Sequence, residues 1–159
     1  MGNQISIVQA IQLMLAPGIM ISACGLLILG MNNKYSLVVN RIRLLNEEKR
    51  RLILKAGERE FTYEENIRLH SLARQLSALG FRVRLVRNSV VANTIAVGFF
   101  VLTSLFIGLE YLLANQNLNY VVTFLFLAGM LNVLAGVVYS AYESIKGYEI
   151  ILFEVKTDE

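Results

Sequence analysis

One carboxylate stands apart from all other charge in the second half of the chain. Glu110 has no charged neighbour back to Arg87 or forward to Glu143, and Asn115, Gln116, Asn117 and Asn119 follow it. If copies of the chain surrounded a pore, their Glu110 side chains would form an acidic ring that concentrates cations at its mouth. The plainer expectation is a carboxylate at a membrane interface, facing water. Two carboxamides are the other polar groups in apolar surroundings: Asn93 and Asn132. Such a group is costly in hydrocarbon unless bonded, so both read as interhelical polar contacts. Gly129, Gly136 and Ser140 share roughly the face of Asn132, and Gly18 with Ser22 forms a second small-residue pair, all suited to close helix approach. Pro17 is positioned to kink the helix that carries that pair.

Reaction chemistry is missing from the pattern. The single histidine, His70, has no second ligand at metal spacing, and the single cysteine, Cys24, lies in an apolar run as a small packing residue. There is no glycine-rich phosphate loop, no nucleophile beside a base and no cofactor box. The expectation is a non-enzymatic protein without catalytic residues, metal or cofactor.

The elements that carry these residues follow from where charge is absent. Of the 159 residues, 55% are hydrophobic and 17% charged, with a mean hydropathy of +0.54. That is too apolar for a soluble domain of this length. No charged side chain occurs before Lys34, between Arg87 and Glu110, or between Glu110 and Glu143. Each gap is long enough to cross about 30 Å of hydrocarbon as a helix, the form that satisfies its own backbone groups. The spacing predicts an all-α integral membrane protein, a single domain over 1–159, with spans over about 5–31, 89–113 and 118–142.

Thirteen of the fifteen basic residues lie between spans one and two, and the remaining two, Lys146 and Lys156, follow span three. The connection between spans two and three has none. By the positive-inside rule the N-terminus is outside, and the segment 34–88 and the tail 143–159 are cytoplasmic. Tyr111 and Tyr120 would mark the outer interface, and Tyr35, Tyr139 and Tyr142 the inner one.

The segment 34–88 reads as an antiparallel coiled-coil hairpin. Val38, Ile42, Leu45, Lys49, Leu52 and Ala56 alternate steps of four and three, as do Leu69, Leu72, Leu76, Leu79, Val83 and Val86. Gly57 can close the first arm, and Thr62 with Glu65 forms a capping box that opens the second, leaving a turn at Gly57–Phe61. Each arm is expected to continue its span as one helix. Arg51, Arg74, Arg84 and Arg87 are candidate contacts for anionic lipid or a protein partner. Interspersed Glu47, Glu48, Glu58, Glu60, Glu64 and Glu65 make this a mixed face and argue against nucleic acid. The apolar patch Ile150-Ile151-Leu152-Phe153 is too short to span and should dock on the hairpin base or a neighbouring subunit.

Three short matches carry little. The start Met1-Gly2-Asn3-Gln4-Ile5-Ser6 fits a myristoylation pattern and Ile21-Ser22-Ala23-Cys24 a lipoprotein cleavage site, but residues 1–33 contain no Lys or Arg. Gly30-Met31-Asn32 spells the signature of CorA-type magnesium channels, at the wrong end of a span.

The stretch IQLMLAPGIMISACGLLILGMNNKY (Ile11–Tyr35), followed by RIRLLNEEKRRL (Arg41–Leu52), resembles an uncharacterised bacterial family of small three-span membrane proteins, a domain of unknown function. The resemblance implies the bacterial inner, or thylakoid, membrane and brings no activity or site residues. A looser similarity, in topology alone, is to insertases of the Oxa/YidC type, whose bacterial members carry a basic residue inside the membrane that this chain lacks.

Two function classes follow. One is a homo-oligomeric passive cation channel with Glu110 at its outer mouth. The other is an assembly factor, insertase-like helper or accessory subunit that engages a membrane-protein partner through the hairpin.

Overall fold

The computed structural model describes residues 7–56, 62–113 and 118–157, with the side chains of 10, 56 and 148–157 excepted. Three helices account for nearly all of them: α1 (Ile7–Ala56), α2 (Tyr63–Leu113) and α3 (Asn119–Thr157). All three are long and apolar enough to cross a membrane. Each runs well past the roughly 20 residues that hydrocarbon needs, at 50, 51 and 39 residues. α3 continues through the segment read above as a separate tail, so the patch Ile150–Phe153 is helical; its side chains lie outside the described ones. The turn at 57–61 and the connection at 114–117 also lie outside the described residues.

Local chemistry explains the helix limits that are described. Thr62 precedes α2, its backbone N–H donates to Oε2 of Glu65 at 3.1 Å, and its carbonyl accepts from Asn66 N–H. That is the backward arm of a capping box. Glu64 and Glu65 in the first turn of α2, and Lys55 in the last turn of α1, also suit the helix dipole. α1 passes Pro17 without ending, and that proline is fully buried.

The chain divides into two compact units, one of Met1–Met31 with Asn88–Tyr139 and one of Asn32–Arg87 with Ser140–Glu159. In the first, Cys24, Ala96 and Phe100 form the core, with Met20, Ile21, Val97, Phe126 and Val133 against it. The Phe100 and Phe126 rings lie tilted with centroids 5.6 Å apart. In the second, Val38, Leu45, Leu72 and Leu79 are buried together, with Ile42, Leu52, Leu76 and Val83 packed on them. These are members of the two stripes that the spacing picked out.

One register runs along α2. Leu72, Leu79, Val86, Asn93, Phe100 and Ile107 fall at every seventh position, and all are buried. Ser89, Ala96, Thr103 and Glu110 repeat at the same interval three residues later and are buried too. The interior of the first unit therefore mixes Phe100 and Ile107 with small and polar residues, while Leu26, Leu105, Phe124 and Leu131 lie exposed. Such an arrangement suits a solvent as apolar as leucine, where close packing and polar contacts, not water exclusion, hold helices together.

Candidate functional site

The densest polar cluster lies in the second unit. Arg82 donates from Nε and Nη2 to one oxygen of Glu143, Oε1, at 3.1 and 2.7 Å. Lys34 Nζ donates to the other oxygen, Oε2, at 3.2 Å and to Ser144 Oγ at 2.9 Å. Each helix supplies one charge: Lys34 from α1, Arg82 from α2 and Glu143 from α3. The Glu143 side chain is 1% exposed, against 21% for Arg82 and 45% for Lys34. A carboxylate so enclosed is stable only with its charge matched and its lone pairs occupied, and the two cations do both. A methyl group at Gly147, one turn beyond Glu143, would stand 2.8 Å from Arg82 Nη2, so the missing side chain makes room for the guanidinium. Beside the cluster, the rings of Phe81 and Tyr142 meet edge to face with centroids 6.4 Å apart. Lys146 Nζ lies 6.0 Å from the Tyr142 centroid. None of Lys34, Arg82 or Glu143 stands out as a site in the sequence.

The first unit holds a second polar contact. Ser89 Oγ donates to the carbonyl of Gly136 at 2.7 Å, linking α2 to α3. Asn93 Nδ2 donates to Ser89 O at 2.9 Å, and its Oδ1 is buried without a hydrogen-bond partner. The Asn93 amide fills the space that a side chain at Gly136 would occupy, with Oδ1 3.2 Å from the Cβ position. The amide nitrogen, not Oδ1, comes nearest to that position. Gly129 receives the Phe100 ring in the same way, 2.8 Å from its Cβ position.

The structure sorts the other sequence candidates. Asn93, Gly129 and Gly136 sit at helix contacts. Asn132 does not reach across: its Nδ2 donates to Ala128 O of its own helix at 2.9 Å. The interhelical role expected of it is filled by Ser89, which the sequence reading passed over. Gly18 and Ser22 lie on an open face of the single chain. A side chain at Gly18 would meet nothing within 4 Å, both residues are exposed, and Ser22 Oγ bonds back to Gly18 O at 3.3 Å. Ser140 is half-buried and its carbonyl accepts from Ser144.

Glu110, expected to face water or a pore, is only 6% exposed and belongs to the inner register of α2. Arg74, Arg84 and Arg87 are exposed. Arg51 is exposed and bridged to Glu47 at 2.7 Å, and Arg68 of α2 joins Glu48 of α1 at 2.8 Å. His70 is exposed, and no group of three His, Cys, Asp or Glu is placed to hold a metal among the described residues.

Comparison with known proteins gives one family. Neither the curated proteins nor the solved structures yield a match, and nothing supports the looser likeness to Oxa/YidC-type insertases. The model of a family described as a protein of unknown function, DUF2721, covers residues 14–151. With most of its length inside that match, the chain belongs to the DUF2721 family.

Proposed function

We propose that this chain is a non-enzymatic, multi-pass membrane protein that works as an assembly factor or accessory subunit. It presents the basic segment between α1 and α2 to a membrane-protein partner. The positive-inside distribution puts that segment and the end of α3 in the cytoplasm of a bacterial cell, or on the equivalent side of a thylakoid membrane, with the N-terminus across the bilayer. The observation that carries the reading is the Glu143 cluster. A buried carboxylate holding one cation from each of the other two helices makes the segment a fixed surface, with Arg74, Arg84 and Arg87 left outward. A preorganised surface loses less freedom on binding.

The passive cation pore is the second reading, resting on Glu110. In the first unit large apolar residues such as Leu26, Leu105, Phe124 and Leu131 are outward while Glu110, the residue on which that reading rests, is turned in. Affinity capture from membranes separates the two. Retention of a defined protein that is lost when Arg74, Arg84 and Arg87 are changed together to Glu supports the assembly role. Selective cation flux from the reconstituted chain alone, with no partner retained, overturns it.

A further inference from the structure

The Glu143 cluster does not balance its own charge. Lys34 and Arg82 bring two positive charges to one carboxylate, which leaves one positive charge over. The excess faces outward. Glu143 is enclosed with both oxygens bonded, while the partly exposed Lys34 and Arg82 stand between it and the surroundings. Unused donors accompany the charge. Arg82 holds Glu143 through Nε and Nη2, and the two hydrogens of Nη1 take no part in that contact. Lys34 directs two of its three hydrogens to Glu143 and Ser144, and the Ser144 hydroxyl gives its own to Ser140 O. Each charged residue also has an exposed aromatic ring next to it in the chain: Tyr35 beside Lys34, Phe81 beside Arg82 and Tyr142 beside Glu143.

We propose that this outer layer binds the phosphate of one anionic phospholipid from the cytoplasmic leaflet. The inference rests on the membrane reading above, and position selects a lipid as the source of the phosphate. Glu143 directly follows the predicted span 118–142, and Lys34 lies three residues past that of 5–31, about 4.5 Å along a helix. The headgroup layer is about 5–7 Å thick on each side of the hydrocarbon, so both residues fall within it. Arg82 starts further from its own span, and its bonds to Glu143 hold the guanidinium at the same level. Exposed tyrosines such as Tyr35 and Tyr142 are the ring type that gathers at this depth. A phosphodiester carries one negative charge on two unbridged oxygens, which suits one excess positive charge presented by an ammonium and the edge of a guanidinium. A zwitterionic lipid offsets its phosphate with its own ammonium, so an anionic headgroup gains more here. The site uses none of the arginines assigned above to a protein partner.

Native mass spectrometry of the full chain in detergent, titrated with phosphatidylglycerol or with phosphatidylcholine, tests this. One phosphatidylglycerol should be retained about fivefold more tightly than phosphatidylcholine. Lys34→Gln, which cancels the excess charge, should remove the preference, and Lys34→Arg should keep it. Arg50→Gln takes the same charge from an exposed position on the same helix, about 24 Å further on, and should change nothing. Equal retention of the two lipids by the unsubstituted chain overturns the proposal without any variant. Equal effects of Lys34→Gln and Arg50→Gln overturn it too, as does displacement of the lipid by an equal concentration of inorganic phosphate, which would mark a site for a free anion. Release of the chain from membranes by an alkaline wash without detergent would instead remove the membrane reading itself.

Discussion

Arg82 directs two nitrogens onto a single oxygen of Glu143, leaving the second oxygen to Lys34. The division of labour is specific. The end-on contact gives each of the other two helices its own carboxylate oxygen. Lys34 lies where α1 leaves its apolar stretch, and Arg82 lies close before the corresponding stretch of α2. Glu143 is the first charge after the last apolar run, so the three helices reach the cluster at the same kind of place in their sequences.

Breaking this cluster from the carboxylate side should be far worse than from the lysine side. Glu143→Ala leaves the Arg82 guanidinium without its buried partner, and losing one partner of a buried pair costs about 3–5 kcal/mol. Lys34→Ala, removing a half-exposed cation, should cost about 1 kcal/mol or less. The paired replacement Arg82→Met with Glu143→Leu should recover most of the loss, because no charge is then left enclosed. Thermal unfolding in detergent gives the ranking; equal losses for Glu143→Ala and Lys34→Ala would show that Arg82 does not carry the contact.

The contact between Asn93 and Gly136 gives a second test. Gly136→Ala puts a methyl group where the Asn93 amide sits and disturbs the hydroxyl bond from Ser89 to the same residue's carbonyl. Overpacking of this kind costs about 1–3 kcal/mol. Asn93→Ala opens the space, so the double variant should be more stable than Gly136→Ala alone. A double-mutant cycle checks it, and simple additivity of the two losses would place the amide elsewhere.

Glycine tolerance should differ sharply between helices. Gly129→Leu collides with the Phe100 ring at the centre of the first unit, while Gly18→Leu meets open space. The first should abolish the folded chain in detergent; the second should leave its thermal midpoint unchanged. A large loss for Gly18→Leu would mean that this face is covered by something other than lipid.

How legible this was in the sequence depends on the solvent each segment meets. Val38, Leu45, Leu72 and Leu79 could be read from spacing because polar residues surround them, and the apolar ones then mark the inside. In the long apolar runs that signal is empty, since every face is apolar. The usable signal there is a seven-residue spacing of small and polar residues: Ser89, Ala96, Thr103 and Glu110, with Asn93 beside them, lie on the buried face of α2, whereas Thr94 and Gly98, off that spacing, are exposed. Charge isolation alone turned Glu110 outward, and small size alone paired Gly18 with Ser22, which lie on an exposed surface of the chain. Asn132 misled for a different reason. A carboxamide in an apolar helix can bond the carbonyl four residues back and needs no second helix. Glu143 carries no signal of its own in the sequence; only the fold brings Lys34 and Arg82 to it across 109 and 61 residues.

The last expectation concerns Gly147. Its missing side chain leaves the Arg82 guanidinium the room it uses, with Nη2 2.8 Å from the Cβ position. Gly147→Ala would push Nη2, the nitrogen that makes the shorter bond to Glu143, out of line. The guanidinium is the far end of a flexible chain, so the penalty should be modest, about 1 kcal/mol, set by a weakened charged hydrogen bond and not by a packing clash. The diagnostic is the background. With Arg82→Met already in place, Gly147→Ala should no longer destabilise, and it should slightly favour the helix, where alanine replaces glycine. If Gly147→Ala destabilised both backgrounds equally, the glycine would be needed for the path of α3 itself and not for the reach of Arg82.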